Sequence, residues 1–161
     1  MTAFGGAMSG TQQDQDLPVT EALRLLGDVR FGRVVFTSRA LPAVRPVRHV
    51  VVDGTIVIAA GPELVLGPSS PSTSATGETI VAYEADQLDS TGCTGWGVVV
   101  VGRARPVTEP AKIRRYRRLL PQVSVPDQLV AISADVVTGF RLDASPAVVA
   151  EPAAEPVRAG C

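Results

Sequence analysis

The chain has 161 residues, 45% of them hydrophobic and 19% charged, and a formal net charge of -1. That is enough apolar material for the core of one ordinary domain, and it gives no global electrostatic reason to meet nucleic acid or an anionic membrane. Two scattered cysteines (Cys93 and Cys161) and one histidine (His49) exclude a disulfide framework and leave a protein-built zinc site short of ligands.

Residues 1–16 are rich in Gly, Gln, Ser and Thr. They carry no basic n-region and no apolar h-region, so they read as a disordered tail, not a signal peptide. Residues 17–144 are expected to fold as one domain. Residues 145–161, of Ala/Pro/Glu character, are expected to form a second disordered tail. The run Val98–Val101 is far too short to cross a bilayer, and the expected location is the cytoplasm.

Within the domain, Leu17 to Leu26 predicts a short helix with Gly27 as its stop. Phe31 to Ser38 predicts a strand, as does Ala43 to Val52, where Pro46 requires a bulge or a sheet edge. Asp53-Gly54 is a hairpin signal, and Thr55 to Ala60 is the return strand. Residues 67–77 (GPSSPSTSATG) are loop. Thr79 to Ala85 and Gly95 to Val107 follow as strands, and the four valines from Val98 predict burial on both faces of the second. Glu109 to Leu120 has helical spacing at Ile113, Tyr116, Leu119 and Leu120, with Pro110 in the first turn. Gln128 to Val137 and Thr138 to Leu142 complete the strands. Six or seven strands joined mostly by short turns, with two helices, predict a mainly β antiparallel barrel with peripheral helices, not a doubly wound sheet.

Standard catalytic signatures are absent: no GxGxxG after a strand, no GxxxxGK[ST], no HExxH and no GxSxG elbow. Lys112, the only lysine, lies in an arginine-rich helix with no glycine loop before it, which removes Schiff-base and Walker-lysine chemistry. His49 reads either as a polar residue on a strand face in a cleft or at an interface, or as a ligand contact. Glu84 and Asp86 share a strand face, as an acid/base pair or as an edge-strand charge pair facing arginines. Lys112, Arg114, Arg115, Arg117 and Arg118 form a basic helix face without interleaved aromatics for base stacking, so no nucleic-acid partner is expected. Trp96 stands in a glycine frame (Gly95, Gly97) that fits either a core residue or close approach of something flat.

Taken together, Gly32-Arg33-Val34-Val35-Phe36, PAVRPVRHVVVD (42–53), VAYEAD (81–86), TGWGVVVVGRA (94–104) and VTGFRL (137–142) resemble the pyridoxamine 5'-phosphate oxidase-like split-barrel flavoproteins. The resemblance is to the actinobacterial branch with a GWSV-type strand. It implies a six-stranded split barrel with two or three short peripheral helices and a homodimer. It also implies an FMN or deazaflavin cofactor in a groove at the dimer interface. Val47, Arg48 and His49 would line the ring edge, and Trp96 and Gly97 would pack near it. The family holds the cofactor phosphate with an Arg-Thr pair on the return strand and a Gly-Ser/Thr-Lys run after it. Here those positions are Ala59 and Ala60, then Gly61-Pro62-Glu63-Leu64-Val65. Losing two or three charge-assisted bonds, each worth roughly 1.5–3 kcal/mol, costs on the order of a hundredfold or more in affinity. Arg45, Arg48 and the hydroxyls of Ser69, Ser70, Ser72 and Thr73 are candidate replacements. Two functions follow: a flavin- or deazaflavin-dependent oxidoreductase without catalytic lysine or metal, or a non-catalytic dimer that has lost FMN and binds another small ligand or partner. A pyridoxal-phosphate or haem binder on the same scaffold is a minor third.

Overall fold

The computed structural model describes residues 14–64, 66, 78–90, 94–120 and 128–143. The expected loop at 67–77, the outer parts of both tails, Cys93, Cys161 and the four candidate hydroxyls lie outside these residues. Eight strands and two helices follow in the order β1 (Asp14–Asp16), α1 (Val19–Asp28), β2 (Phe31–Ser38), β3 (Leu41–Val52), β4 (Thr55–Ala60), β5 (Thr79–Leu88), β6 (Gly95–Pro106), α2 (Pro110–Leu119), β7 (Gln128–Ile132) and β8 (Val136–Leu142).

All pairings are antiparallel. The sheet order is β1-β8-β6-β5-β2-β3-β4-β7, and β7 also pairs with β6, which closes six strands into a barrel. The barrel is split because its strands change neighbours along their length. On one edge β6 pairs with β8 from Gly95 to Val101 and with β7 from Ala104 to Pro106. β3 pairs with β2 up to Arg48 and with β4 from His49 onward. Pro46 falls in the half of β3 that has only β2 beside it, where a residue without an N–H is tolerated.

Inward positions follow the period of two. Val34, Phe36, Ile56, Ile58, Val81, Tyr83, Ala85, Trp96, Val98, Val100, Val130 and Ile132 fill the barrel together with Ala22, Leu25 and Leu26 of α1. α2 lies on the outside, where Tyr116 and Leu120 cover Val52, Val57 and Leu129. This second layer is why β4 is buried on both sides at Ile56, Val57 and Ile58.

Several expectations are corrected. The N-terminal segment is ordered earlier than its composition suggested, because Asp14–Asp16 adds a strand to the edge of β8. α1 runs past Gly27 to Asp28, its last turn held by the Arg24–Asp28 ion pair at 2.8 Å, and it ends where Val29 becomes extended. The strand expected over Gln128 to Val137 is interrupted at residues 133–135, where the Ser133 carbonyl presses on Gly102 so closely that no Cβ fits there. The valine run is buried on one face only: Val98 and Val100 are fully enclosed, whereas Val101 is 37% exposed.

Candidate functional site

His49 sits where β3 leaves β2 for β4, and its backbone N–H donates to the Arg30 carbonyl (3.1 Å) across the edge that β2 has vacated. Its ring is buried, and both nitrogens are engaged. Nε2 is 2.7 Å from the Leu26 carbonyl at the end of α1, and Nδ1 is 2.6 Å from the Tyr83 hydroxyl on β5. A carbonyl only accepts, so Nε2 carries the proton and Nδ1 receives the Tyr83 O–H. Gly32 makes the network possible, since a Cβ at that position would run into the Tyr83 hydroxyl. Burial lowers the His49 pKa, partly offset by the Leu26 carbonyl, while burial raises that of Tyr83. The two are a neutral, fully satisfied pair joining α1, β3 and β5.

Beside it opens a cavity of about 450 Å³ between the end of α1, the outer surface of β3 and the C-terminal turn of α2. Its walls include Val29, Val50, Leu119 and Leu120, and Arg30, Arg48 and Arg118 are among its lining residues. Arg48 also stacks over the Phe31 ring, 5.0 Å from its centroid. A hollow of mixed polar and apolar lining with three arginines in its wall suits a ligand bearing an anionic group.

Of the predicted site residues, only Arg48 and His49 line this cavity. Strand alternation places Arg45 and Arg48 on opposite faces of β3, so they do not form one anion site. Val47 packs against the barrel core, as does Trp96, which is 6% exposed. Gly97 does receive a flat group, but it is the ring of Phe140 from β8, which a Cβ would strike. Ala59 and Ala60 pair with Leu129 and Gln128 of β7. Glu84 and Asp86 lie on an interior strand of the sheet, not an edge, and share Arg33 at 2.7 and 3.7 Å. Sequence reasoning missed Arg30, which no motif marks, and the bond between Tyr83 and His49, 34 positions apart. Arg118 was visible only as one member of a basic helix. Among the described residues no cluster of three or more His, Cys, Asp or Glu side chains is suited to a metal ion, and no helix is long and apolar enough to cross a membrane.

A closed six-stranded antiparallel barrel, split along β3 and β6 and flanked by two helices, defines the class of fold. The chain belongs to the pyridoxamine 5'-phosphate oxidase family, whose sequence pattern it matches over residues 18–147. It is 47% identical over 131 residues to an uncharacterized protein of Mycobacterium tuberculosis, covering 79% of this chain and 84% of that one. Among solved structures it is similar to an FAD-binding protein from Mycobacterium smegmatis, with 26% identity, a TM-score of 0.59 and coverage of 79% of this chain and 96% of the other. It also shares its fold with an FAD-binding protein from Mesorhizobium loti, with 17% identity, a TM-score of 0.64 and coverage of 82% and 98%.

The end of β4, where the family resemblance implies a cofactor phosphate, does not fit that group in this chain. Ala59 and Ala60 supply no side-chain donor. The following turn is closed by the Leu64 N–H on the Gly61 carbonyl (3.3 Å) and anchored by buried Leu64. The Glu63 carboxylate lies against Gly61, in the space a Cβ there would need.

Proposed function

We propose that this chain is a split-barrel oxidoreductase that binds a ring of the flavin class, FMN or a deazaflavin, in a groove at the interface of a cytoplasmic homodimer. The bound ring would supply the electron-transfer chemistry, and the protein would position it. The observation that carries this reading is the cavity beside β3, lined by Arg48 and His49 on the strand where the resemblance puts the ring edge. The Mycobacterium smegmatis relative, described as FAD-binding, supports a flavin-type ligand. The rigid His49–Tyr83 pair fixes the wall of the cavity, and Arg30, Arg48 and Arg118 favour the ligand's anionic portion.

The dimer is supported by the exposed outer face of β2, β5, β6 and β8 and of the first half of β3, which α2 does not cover. Val44, Val101, Val136, Phe31 and Phe140 on that face are 37–57% exposed. Exposed apolar residues on one sheet face, here Val44, Val101 and Val136 in one row and Phe31 and Phe140 beyond the Arg33–Glu84 ion pair, are where soluble chains associate. A second reading, a non-catalytic dimer that has lost FMN and takes another small ligand or partner, is favoured by Ala59, Ala60 and Glu63. The absorption spectrum of the purified protein, followed by titration with FMN and a deazaflavin, separates the two. Saturable binding supports the first reading; a colourless protein that binds neither supports the second.

A further inference from the structure

We infer that Glu63 closes the end of β4 to phosphate, so that any flavin-class ligand of this chain is held without a phosphate contact there. The inference rests on the flavin reading above only for its choice of probe. Three observations carry it. Among the described residues the end of β4 supplies no side-chain donor, since Ala59 and Ala60 carry methyl groups only. The turn over Gly61 is anchored by Leu64, which is 4% exposed and part of the core, so it is not free to rearrange around an anion. The Glu63 carboxylate rests on Gly61, filling the close approach to backbone that a glycine would otherwise offer a phosphate. Two negative groups in that space repel. Charge of opposite sign is instead gathered in the cavity containing Arg30, Arg48 and Arg118.

FMN and riboflavin differ only by the terminal phosphate, so the change in their affinity ratio on replacing Glu63 reads this site, whatever the arginine cavity contributes. By fluorescence titration, Glu63→Lys, a change at an exposed position, is expected to tighten FMN by about tenfold or more, worth about 1.4 kcal/mol, and to leave riboflavin unchanged. An FMN-to-riboflavin ratio that Glu63→Lys does not move overturns the inference. If neither flavin binds either protein, the flavin reading fails on its own. Inorganic phosphate then decides on Glu63: a rise in Tm with phosphate in Glu63→Lys beyond that of the wild type upholds the inference, and equal shifts overturn it.

Discussion

His49 is the one side chain of this protein whose ordinary pKa lies in the middle of the physiological range, and the fold holds it neutral. Its folded pKa is lowered while the unfolded chain titrates near 6.5, so the unfolded state takes up the proton first as the pH falls. Stability associated with His49 is therefore complete above about pH 6.5 and is lost below it, at up to about 1.4 kcal/mol per pH unit until the folded-state pKa is reached. Thermal denaturation from pH 8 to pH 5 should show a declining Tm over the lower part of that range. His49→Asn, which does not titrate, should lose that part of the slope whatever its Tm at neutral pH; parallel profiles for both proteins refute the assignment. Tyr83→Phe tests the same network from the other side. It removes the hydroxyl that satisfies Nδ1 (2.6 Å), leaving a buried acceptor unpaired at a cost of about 1–3 kcal/mol. A loss below about 0.5 kcal/mol in denaturant titration would mean that water reaches the ring. The partner residues were present in the sequence as separate motifs, His49 in PAVRPVRHVVVD and Tyr83 in VAYEAD, but pairing across strands is a tertiary fact that neither segment encodes alone.

At the level of elements, the two hairpins flanking β3 show what local chemistry discloses. Asp53 and Gly54 have φ values of 52° and 75°, the left-handed pair a two-residue hairpin turn requires, and the Asp-Gly dipeptide announced that turn. The β2–β3 hairpin uses the same geometry at Arg39 (φ 50°) and Ala40 (φ 65°), two residues that dislike it, so no turn was marked there and β3 was expected to begin at Ala43, not Leu41. The long register from Phe31–Arg48 to Ser38–Leu41 imposes the turn on an unsuitable pair. Ala40→Gly relieves the Cβ conflict and should stabilise the protein by about 0.5–1 kcal/mol after the entropic cost of glycine, seen as a higher denaturation midpoint with an unchanged m-value. A lower midpoint would mean that the turn carries no strain. The helix α2 was legible from Pro110, Ile113, Tyr116 and Leu120, because an amphipathic pattern needs only its own residues. Its seat on Val52, Val57 and Leu129 was not, because those positions lie on three different strands.

For the whole molecule, the valine run Val98–Val101 carries a conflict between sequence and single chain. Its composition calls for cover on both faces, yet α2 packs over β4 and β7 and leaves the outer face of β6 open, with Val101 at 37% and neighbouring Val136 at 56% exposure. In register across the sheet, Ala82, Val101 and Val136 form one row with Val35, and Val35 lies opposite Val44 on β3. An apolar row spanning five strands is a large surface to leave in water, at about 25 cal/mol for every Å². The proposed homodimer resolves the conflict by making a second copy the missing cover, and a stable interface needs about 800 Å² from each partner. Val101→Glu places a charge in the middle of that row and alters nothing inside the barrel. The expected outcome is a monomer by light scattering or analytical ultracentrifugation, against a dimer for the wild type, with an unchanged far-UV spectrum. Cofactor titrations on the same two proteins then ask whether the groove needs both copies: flavin binding lost together with the dimer puts the site at the interface, and binding kept by the monomer puts it within one barrel. A Val101→Glu protein that remains dimeric means the two copies meet elsewhere, and the outer face would have to be covered in another way.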